Sequence, residues 1–147
     1  MPLNSFFECL KVAPPTAPMI RIFNDGDYVP YKILQGKVIL CVVRRAFMPG
    51  CTKRHLPDYA NNLNKLDAKI VFVAVNDPSV MHEWNVLYGH PNIDAVADPL
   101  AVFSKSIGKD IDLGDYMGIR CKRYAMLLQD GEFVKFYDDP FVEGVLE

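Results

Sequence analysis

Four cysteines, Cys9, Cys41, Cys51 and Cys121, are the thiols of this 147-residue chain, and Cys51 occupies the position best suited to chemistry. A continuous β-branched run, Val38 to Val43, ends shortly before it, and a helical period begins at about Cys51. In open α/β sheets, sites gather beyond the carboxyl ends of strands. A thiol at a helix N-terminus meets the positive end of the helix dipole, which favours its thiolate. On position alone a buried structural cysteine remains an alternative. Met48 stands where a C-x-x-C pair would place its other sulfur, so Cys51 cannot cycle as a local dithiol. A lone activated thiol suits peroxide reduction, glutathione chemistry or acyl transfer, the last of which wants a histidine base. His55 lies one helical turn on, either within reach of the sulfur or as a polar neighbour. His55, His82 and His90 show no ligand spacing with cysteine, so no metal is expected. Phosphate-binding glycine loops and serine nucleophile elbows are absent too, and no cofactor is expected.

The elements that must position Cys51 can be read from periodicity. Met19 to Phe23 predicts a first strand, and Asn24-Asp25-Gly26 a turn. Val38 to Val43 and Ile70 to Val75 are strands buried on both faces. Leu56, Tyr59, Leu63 and Leu66 predict the buried stripe of the helix between them. Asn76-Asp77-Pro78 reads as a capped start for a second helix carrying Val80, Trp84 and Leu87. Ala95 to Ala97 predicts a short strand. Pro99 opens a further short helix that Gly108 closes. Tyr124 to Leu128 and Phe133 to Tyr137 flank Asp130-Gly131, a hairpin signal. Alternating strands and helices followed by a hairpin imply an α/β thioredoxin-like fold, a central mixed β-sheet flanked by helices. Residues 1–18, with Pro14, Pro15 and Pro18, read as a leader, and residues 19–147 as one domain.

Composition bounds the rest. Half of the residues are hydrophobic and the net charge is −2, so nothing favours nucleic acid or an anionic membrane surface. No apolar run approaches the ~20 residues of a membrane span. Residues 1–10 carry no Lys or Arg and include Glu8, which fits neither a signal nor a transit peptide. Few, unpaired cysteines point to an intracellular, reducing compartment, cytosol or mitochondrion.

Ala46 to Tyr59, AFMPGCTKRHLPDY, resembles the reactive loop of the type II peroxiredoxins, the peroxiredoxin-five subfamily of the redoxin superfamily, whose pattern is P-G-A-F-T-P-x-C-S/T-x-x-H-L-P. VNDPSVMHEW (Val75 to Trp84), ADPLAVFSKSIG (Ala97 to Gly108) and KRYAMLLQDG (Lys122 to Gly131) match further blocks in order and spacing, so that the resemblance spans Met19 to Asp139. It implies a thioredoxin-like fold of the peroxiredoxin type. It also implies a thiol peroxidase whose peroxidatic Cys51 attacks the O–O bond of hydrogen peroxide or an alkyl hydroperoxide and becomes a sulfenic acid. Arg123 matches the family's active-site arginine, which holds the thiolate and polarises the peroxide. Met48, Pro49, Gly50 and Arg44 fall on the peroxide pocket, with Gly50 and Cys51 offering backbone N–H groups.

Four departures mark this sequence. The family's proline and glycine at the loop start are Arg44 and Arg45, its threonine is Met48, and DDPFVEGVLE stands where some members carry a resolving cysteine, with the family's last helix expected to be missing. The expected partners are therefore peroxide and an external thiol reductant, with a weak, one-cysteine mechanism and a homodimer or larger assembly. The alternative is a lapsed member retained as a structural subunit of a larger, for instance mitochondrial, complex.

Overall fold

The computed structural model describes residues 21–24, 27–30, 36–106 and 108–146. The strands are β1 (Arg21–Asn24), β2 (Asp27–Pro30), β3 (Lys37–Val42), β4 (Lys69–Ala74), β5 (Ile93–Ala97), β6 (Asp110–Asp112), β7 (Ile119–Cys121), β8 (Tyr124–Gln129) and β9 (Glu132–Tyr137). Seven of them form one mixed sheet in the order β2-β1-β5-β4-β3-β8-β9, while β6 and β7 pair separately. The central β5, β4 and β3 are parallel, and β8 closes on β3 in antiparallel register. This is the mixed, helix-flanked sheet expected from the sequence.

The β-branched runs explain why β3 and β4 are central. A strand points alternate side chains to opposite faces, so a continuous apolar run is stable only when both faces are covered. Val38, Leu40 and Val42 of β3, with Val71 and Val73 of β4, enter one core. Ile39 and Cys41, with Ile70, Phe72 and Ala74, enter the other. The first core is closed by Phe103 of helix α3 (Val102–Ser106) and by Cys121. The second is closed by the helix carrying Cys51, by Met81 and Trp84 of α2 (Pro78–Tyr88), and by Val142 and Val145 of α5 (Val142–Leu146). A short helix, α4 (Gly114–Met117), links β6 to β7.

Several expectations require adjustment. The helix after Cys51 ends at Ala60, in α1 (Leu56–Ala60), rather than running on to Leu66. Asn62 competes for the backbone: its side-chain amide donates to the Asp58 carbonyl at 2.7 Å. Leu63 and Leu66 still pack on the core, but from a 3₁₀ turn and the extended residue after it. In α2, Trp84 is buried whereas Leu87 is 61% exposed, so the apolar stripe is shorter than its period suggests. Pro78 does begin that helix, yet Asp77 makes no side-chain capping bond. Asn76 instead reaches sideways, and its Oδ1 accepts the Ala46 N–H at 2.8 Å, tying the loop before Cys51 to the end of β4. The cap of α3 is Asp98, whose carboxylate accepts the Phe103 and Ser104 N–H groups and the Ser104 hydroxyl. The Asp130-Gly131 hairpin forms as read, with both residues at positive φ, +52° and +81°. Residues 1–18 and most of the Asn24-Asp25-Gly26 turn lie outside the described residues.

Candidate active site

The helix that presents Cys51 begins at Pro49, and Gly50 already has helical angles, φ −64° and ψ −37°. Its first turns, Cys51–His55, are wound as a π-helix, with the Leu56 N–H bonded to the Cys51 carbonyl. Pro57 supplies the cause. It has no N–H to donate, and its ring crowds the carbonyl four residues back, at Lys53. Widening the turn relieves that contact, and such widened turns recur at functional sites. Ahead of the helix, Phe47 takes φ +64°, a strained conformation for a bulky residue. Its ring sits edge-on to Tyr88 at 6.1 Å. Trp84 braces the other side: its indole N–H donates to Thr52 Oγ1 at 3.0 Å.

Cys51 is fully buried. The Arg123 guanidinium, 72 residues away along the chain, donates from Nη2 to Cys51 Sγ at 3.1 Å. Arg123 lies between β7 and β8, so the hairpin strand that pairs with β3 also delivers the cation to the end of β3. Gly50 supplies the room. A Cβ there would stand 3.0 Å from Arg123 Nη2, tighter than an ordinary contact. Glycine is therefore needed for space and not for its angles. Gly50→Ala is expected to displace the guanidinium by a few tenths of an ångström and to slow reaction of Cys51 with hydrogen peroxide roughly 5-fold, measured by stopped flow.

His55 touches the arginine and not the sulfur. Its ring is fully buried against Phe72, Tyr59 and Phe141. Nε2 lies 3.2 Å from the Pro140 carbonyl, and Nδ1 lies 3.5 Å from Arg123 Nη1. A single neutral tautomer serves both contacts: Nε2–H donates to the carbonyl and Nδ1 accepts from the guanidinium. Burial, reinforced by the charge of Arg123, lowers the His55 pKa to about 4, so the ring is neutral near pH 7. Tyr59 donates to the same Pro140 carbonyl at 2.6 Å. Asp58 accepts the Val142 N–H at 2.8 Å, and the Arg54 guanidinium lies 5.2 Å from the Phe141 ring centre. Residues 138–146 are thus a docked strap on the Cys51 helix, ending in α5, a helix where the sequence reading expected none. Sequence reasoning missed it because a backbone carbonyl leaves no trace in residue type.

The remaining residues singled out from sequence divide clearly. Met48 is half-buried and packs against the core that contains Cys51, Pro49 is exposed, and Arg44 is half-buried. Cys41 shares that core but points from β3, fully buried, and burial pushes its thiol pKa far up. Cys121 lies in the core on the opposite face of the sheet, where burial pushes its thiol up to about 12. His82 and His90 line a separate cavity at the far end of α2, away from Cys51. Cys9 is outside the described residues. Among the described residues no helix is long and apolar enough to cross a membrane.

Comparison with known proteins agrees with this geometry. The family model described as Redoxin matches residues 15–145. Peroxiredoxin-2C of Oryza sativa subsp. japonica is 38% identical over 97 residues, covering 62% of this chain and 60% of that protein. This chain therefore matches less than two thirds of that relative. Peroxiredoxin-2B of Arabidopsis thaliana is 36% identical over 122 residues, covering 76% of this chain and 75% of its own. The crystal structure of reduced Prx3 from Vibrio vulnificus in complex with hydrogen peroxide superposes with a TM-score of 0.80 at 28% identity, covering 86% of this chain and 90% of that one.

Proposed function

From the premise that this chain belongs to the redoxin family, among its atypical peroxiredoxins, we propose that it is a thiol peroxidase working through Cys51, with Arg123 as the partner of the thiolate. The observation that carries this reading is the 3.1 Å contact between Arg123 Nη2 and the buried Cys51 Sγ. A fixed guanidinium stabilises negative charge on sulfur and has donors to spare for a peroxide oxygen. That a similar protein has been crystallised with hydrogen peroxide supports the same substrate here.

The thiolate sulfur attacks the nearer peroxide oxygen and the O–O bond breaks. The leaving oxygen departs as alkoxide or hydroxide, takes a proton, and leaves Cys51 as a sulfenic acid. An external thiol then attacks that sulfur and releases water, giving a mixed disulfide that a second thiol resolves. An external reductant is favoured because the other described cysteines, Cys41 and Cys121, are buried and held as thiols. The exposed Phe47 and Tyr88 beside the loop support pairing with a second copy through that face. Free, unpaired thiols support residence in the cytosol or mitochondrion.

Set against the family pattern that the sequence resembles, the site departs at Arg44 and Met48. Met48 adds bulk to the shell enclosing Cys51 and offers a peroxide no hydroxyl. Arg44 stands where the resembled pattern has a proline, which by that resemblance would shield the thiolate from water. Restoring both groups, Arg44→Pro with Met48→Thr, is expected to raise the stopped-flow rate with hydrogen peroxide at least ~10-fold, a barrier change near 1.4 kcal/mol. The two changes act on one transition state, so the single variants should not multiply simply. A folded double variant that reacts no faster would favour the structural-subunit reading.

A further inference from the structure

Arg44 and Arg45 stand where the resembled pattern has proline and glycine, so this chain carries two positive charges that the pattern does not. They add to a charge that is already one-sided. Residues 43–57, from the end of β3 through the first turns of the Cys51 helix, hold Arg44, Arg45, Lys53 and Arg54 and no Asp or Glu. Residues 119–129, which form β7, β8 and the link between them, hold Arg120, Lys122 and Arg123 and again no acid. The chain as a whole has a net charge of −2, so these segments are a cationic island on an acidic protein.

The fold brings the two segments to one end of the sheet. Val42 pairs with Tyr124, so Arg44 and Arg45 leave the sheet where Lys122 and Arg123 enter it. The Ala46 N–H bonds to Asn76 Oδ1 at 2.8 Å, and Arg120 Nη1 donates to the Val75 carbonyl, which ties both segments to the carboxyl end of β4. From the second segment Arg123 reaches Cys51 Sγ. Lys53 and Lys122 are exposed, and Arg44, Arg45 and Arg120 are half-buried, so their charges face the solvent through which a partner of Cys51 must come. Asp98 is buried in the cap of α3, and Asp58 and Asp139 accept backbone N–H groups of the strap. Asp77, exposed just after β4, offsets a single charge. Among the described residues none of these Lys and Arg side chains is in an ion pair.

Resting on the reading of Cys51 as the reacting thiol, we propose that Arg44 and Arg45 make the approach to it selective for sulfur partners that carry carboxylates, so that the external thiol completing the cycle is an anionic one. Charges of one sign around a site raise the local concentration of the opposite ion and its encounter rate, by about 10–10³-fold, and salt screens the effect. A cationic thiol meets the same field as a repulsion.

The test is thiol–disulfide exchange of the reduced full chain with disulfides of matched length and graded charge: cystamine, a dication; 2-hydroxyethyl disulfide, neutral; and 3,3′-dithiodipropionate, a dianion. The Cys51 thiolate attacks one sulfur, the S–S bond breaks, and the other half leaves as a thiolate. Mass spectrometry of the Cys51 peptide gives the rate at that thiol alone. Dividing by the rate of N-acetylcysteine amide with the same disulfide removes differences in leaving group. At low salt dithiodipropionate is expected to react at least about 10-fold faster than cystamine, with the neutral disulfide between them. The spread should collapse in 1 M NaCl, where the Debye length is about 3 Å. Arg44→Gln with Arg45→Gln should shrink the spread roughly 3-fold or more, whereas Arg44→Lys with Arg45→Lys, which keeps both charges, should retain it. A cystamine rate equal to that of dithiodipropionate, a spread indifferent to salt, or a spread unchanged in the Gln double variant would overturn the proposal. Reaction with hydrogen peroxide is read separately on the same protein. The charge order without a sulfenic acid at Cys51 would sink the peroxidase reading and uphold the charge selection; a sulfenic acid without the charge order would do the reverse.

Discussion

Arg123→Gln is expected to slow the reaction of reduced protein with hydrogen peroxide by roughly 10²–10³, the cost of removing one preorganised charged donor from an enclosed site. The geometry argues for an effect this large. Arg123 Nη2 contacts the fully buried Cys51 Sγ, so the guanidinium replaces hydration that the sulfur has lost. Gln keeps hydrogen-bonding capacity and loses both the charge and the fork. Arg123→Lys separates those two losses. Its ammonium restores the charge but is a point donor, and it cannot reach both Cys51 Sγ and His55 Nδ1 as the two arms of the guanidinium do. The Lys variant should therefore fall between the parent and Gln. The measurement is the second-order rate from stopped-flow fluorescence. Trp84 is the single tryptophan of the chain, and it is hydrogen-bonded to Thr52 next to Cys51, so it is placed to report oxidation. A Gln variant that reacts at the parent rate would remove Arg123 from the mechanism.

How much of this was legible in the sequence depends on the kind of signal each residue leaves. The central strands announced themselves because β3 and β4 must be apolar on both faces, and Asp130-Gly131 because a two-residue hairpin needs positive φ at both positions. The strand pair β6 and β7 left no such signal, being short and half-exposed. Leu66 misled for the opposite reason: its spacing continued the helical stripe, while Asn62 before it ended the helix. At the site, Cys51 could be placed from the strand–helix junction alone, but Arg123 could not. Its partner is 72 residues away, and only the likeness to a known family linked the two. Gly50 fell on the variable position of the family pattern, and the reason for its being glycine lies in the guanidinium packed against it. The strap was invisible, since the decisive atom is the Pro140 carbonyl, which any residue could have offered.

That strap leads to the second large effect, a loss of stability in mild acid traceable to His55. In the folded protein its pKa is about 4, against 6.5 for an ordinary histidine. Burial is the main cause and the Arg123 charge the next, and both outweigh the opposing pull of the Pro140 carbonyl and of Asp139. The sign follows from proton linkage. Above pH 6.5 the ring is neutral in folded and unfolded chains alike, so it contributes no pH dependence. Between 6.5 and 4 the unfolded chain binds a proton that the folded chain refuses, so stability falls as the pH falls. Each unit costs about 1.4 kcal/mol, and the window therefore removes about 3 kcal/mol, a large part of a typical domain's total. Below pH 4 the folded ring also protonates, and the Nδ1 acceptor that holds Arg123 is lost with it. His55→Phe should remove this component: the variant keeps the aromatic contacts with Phe72, Tyr59 and Phe141 but has nothing to protonate. It should be less stable than the parent at pH 7.5, having lost two hydrogen bonds, yet its stability should decline less steeply toward pH 4.5. Urea unfolding followed by Trp84 fluorescence at several pH values gives both curves. Parallel curves for parent and variant would show that His55 does not carry the acid sensitivity. His55→Asn offers a further check, since its side chain can still present an acceptor near the former Nδ1. It should recover peroxide reactivity that His55→Phe loses, through Arg123, without restoring the pH dependence.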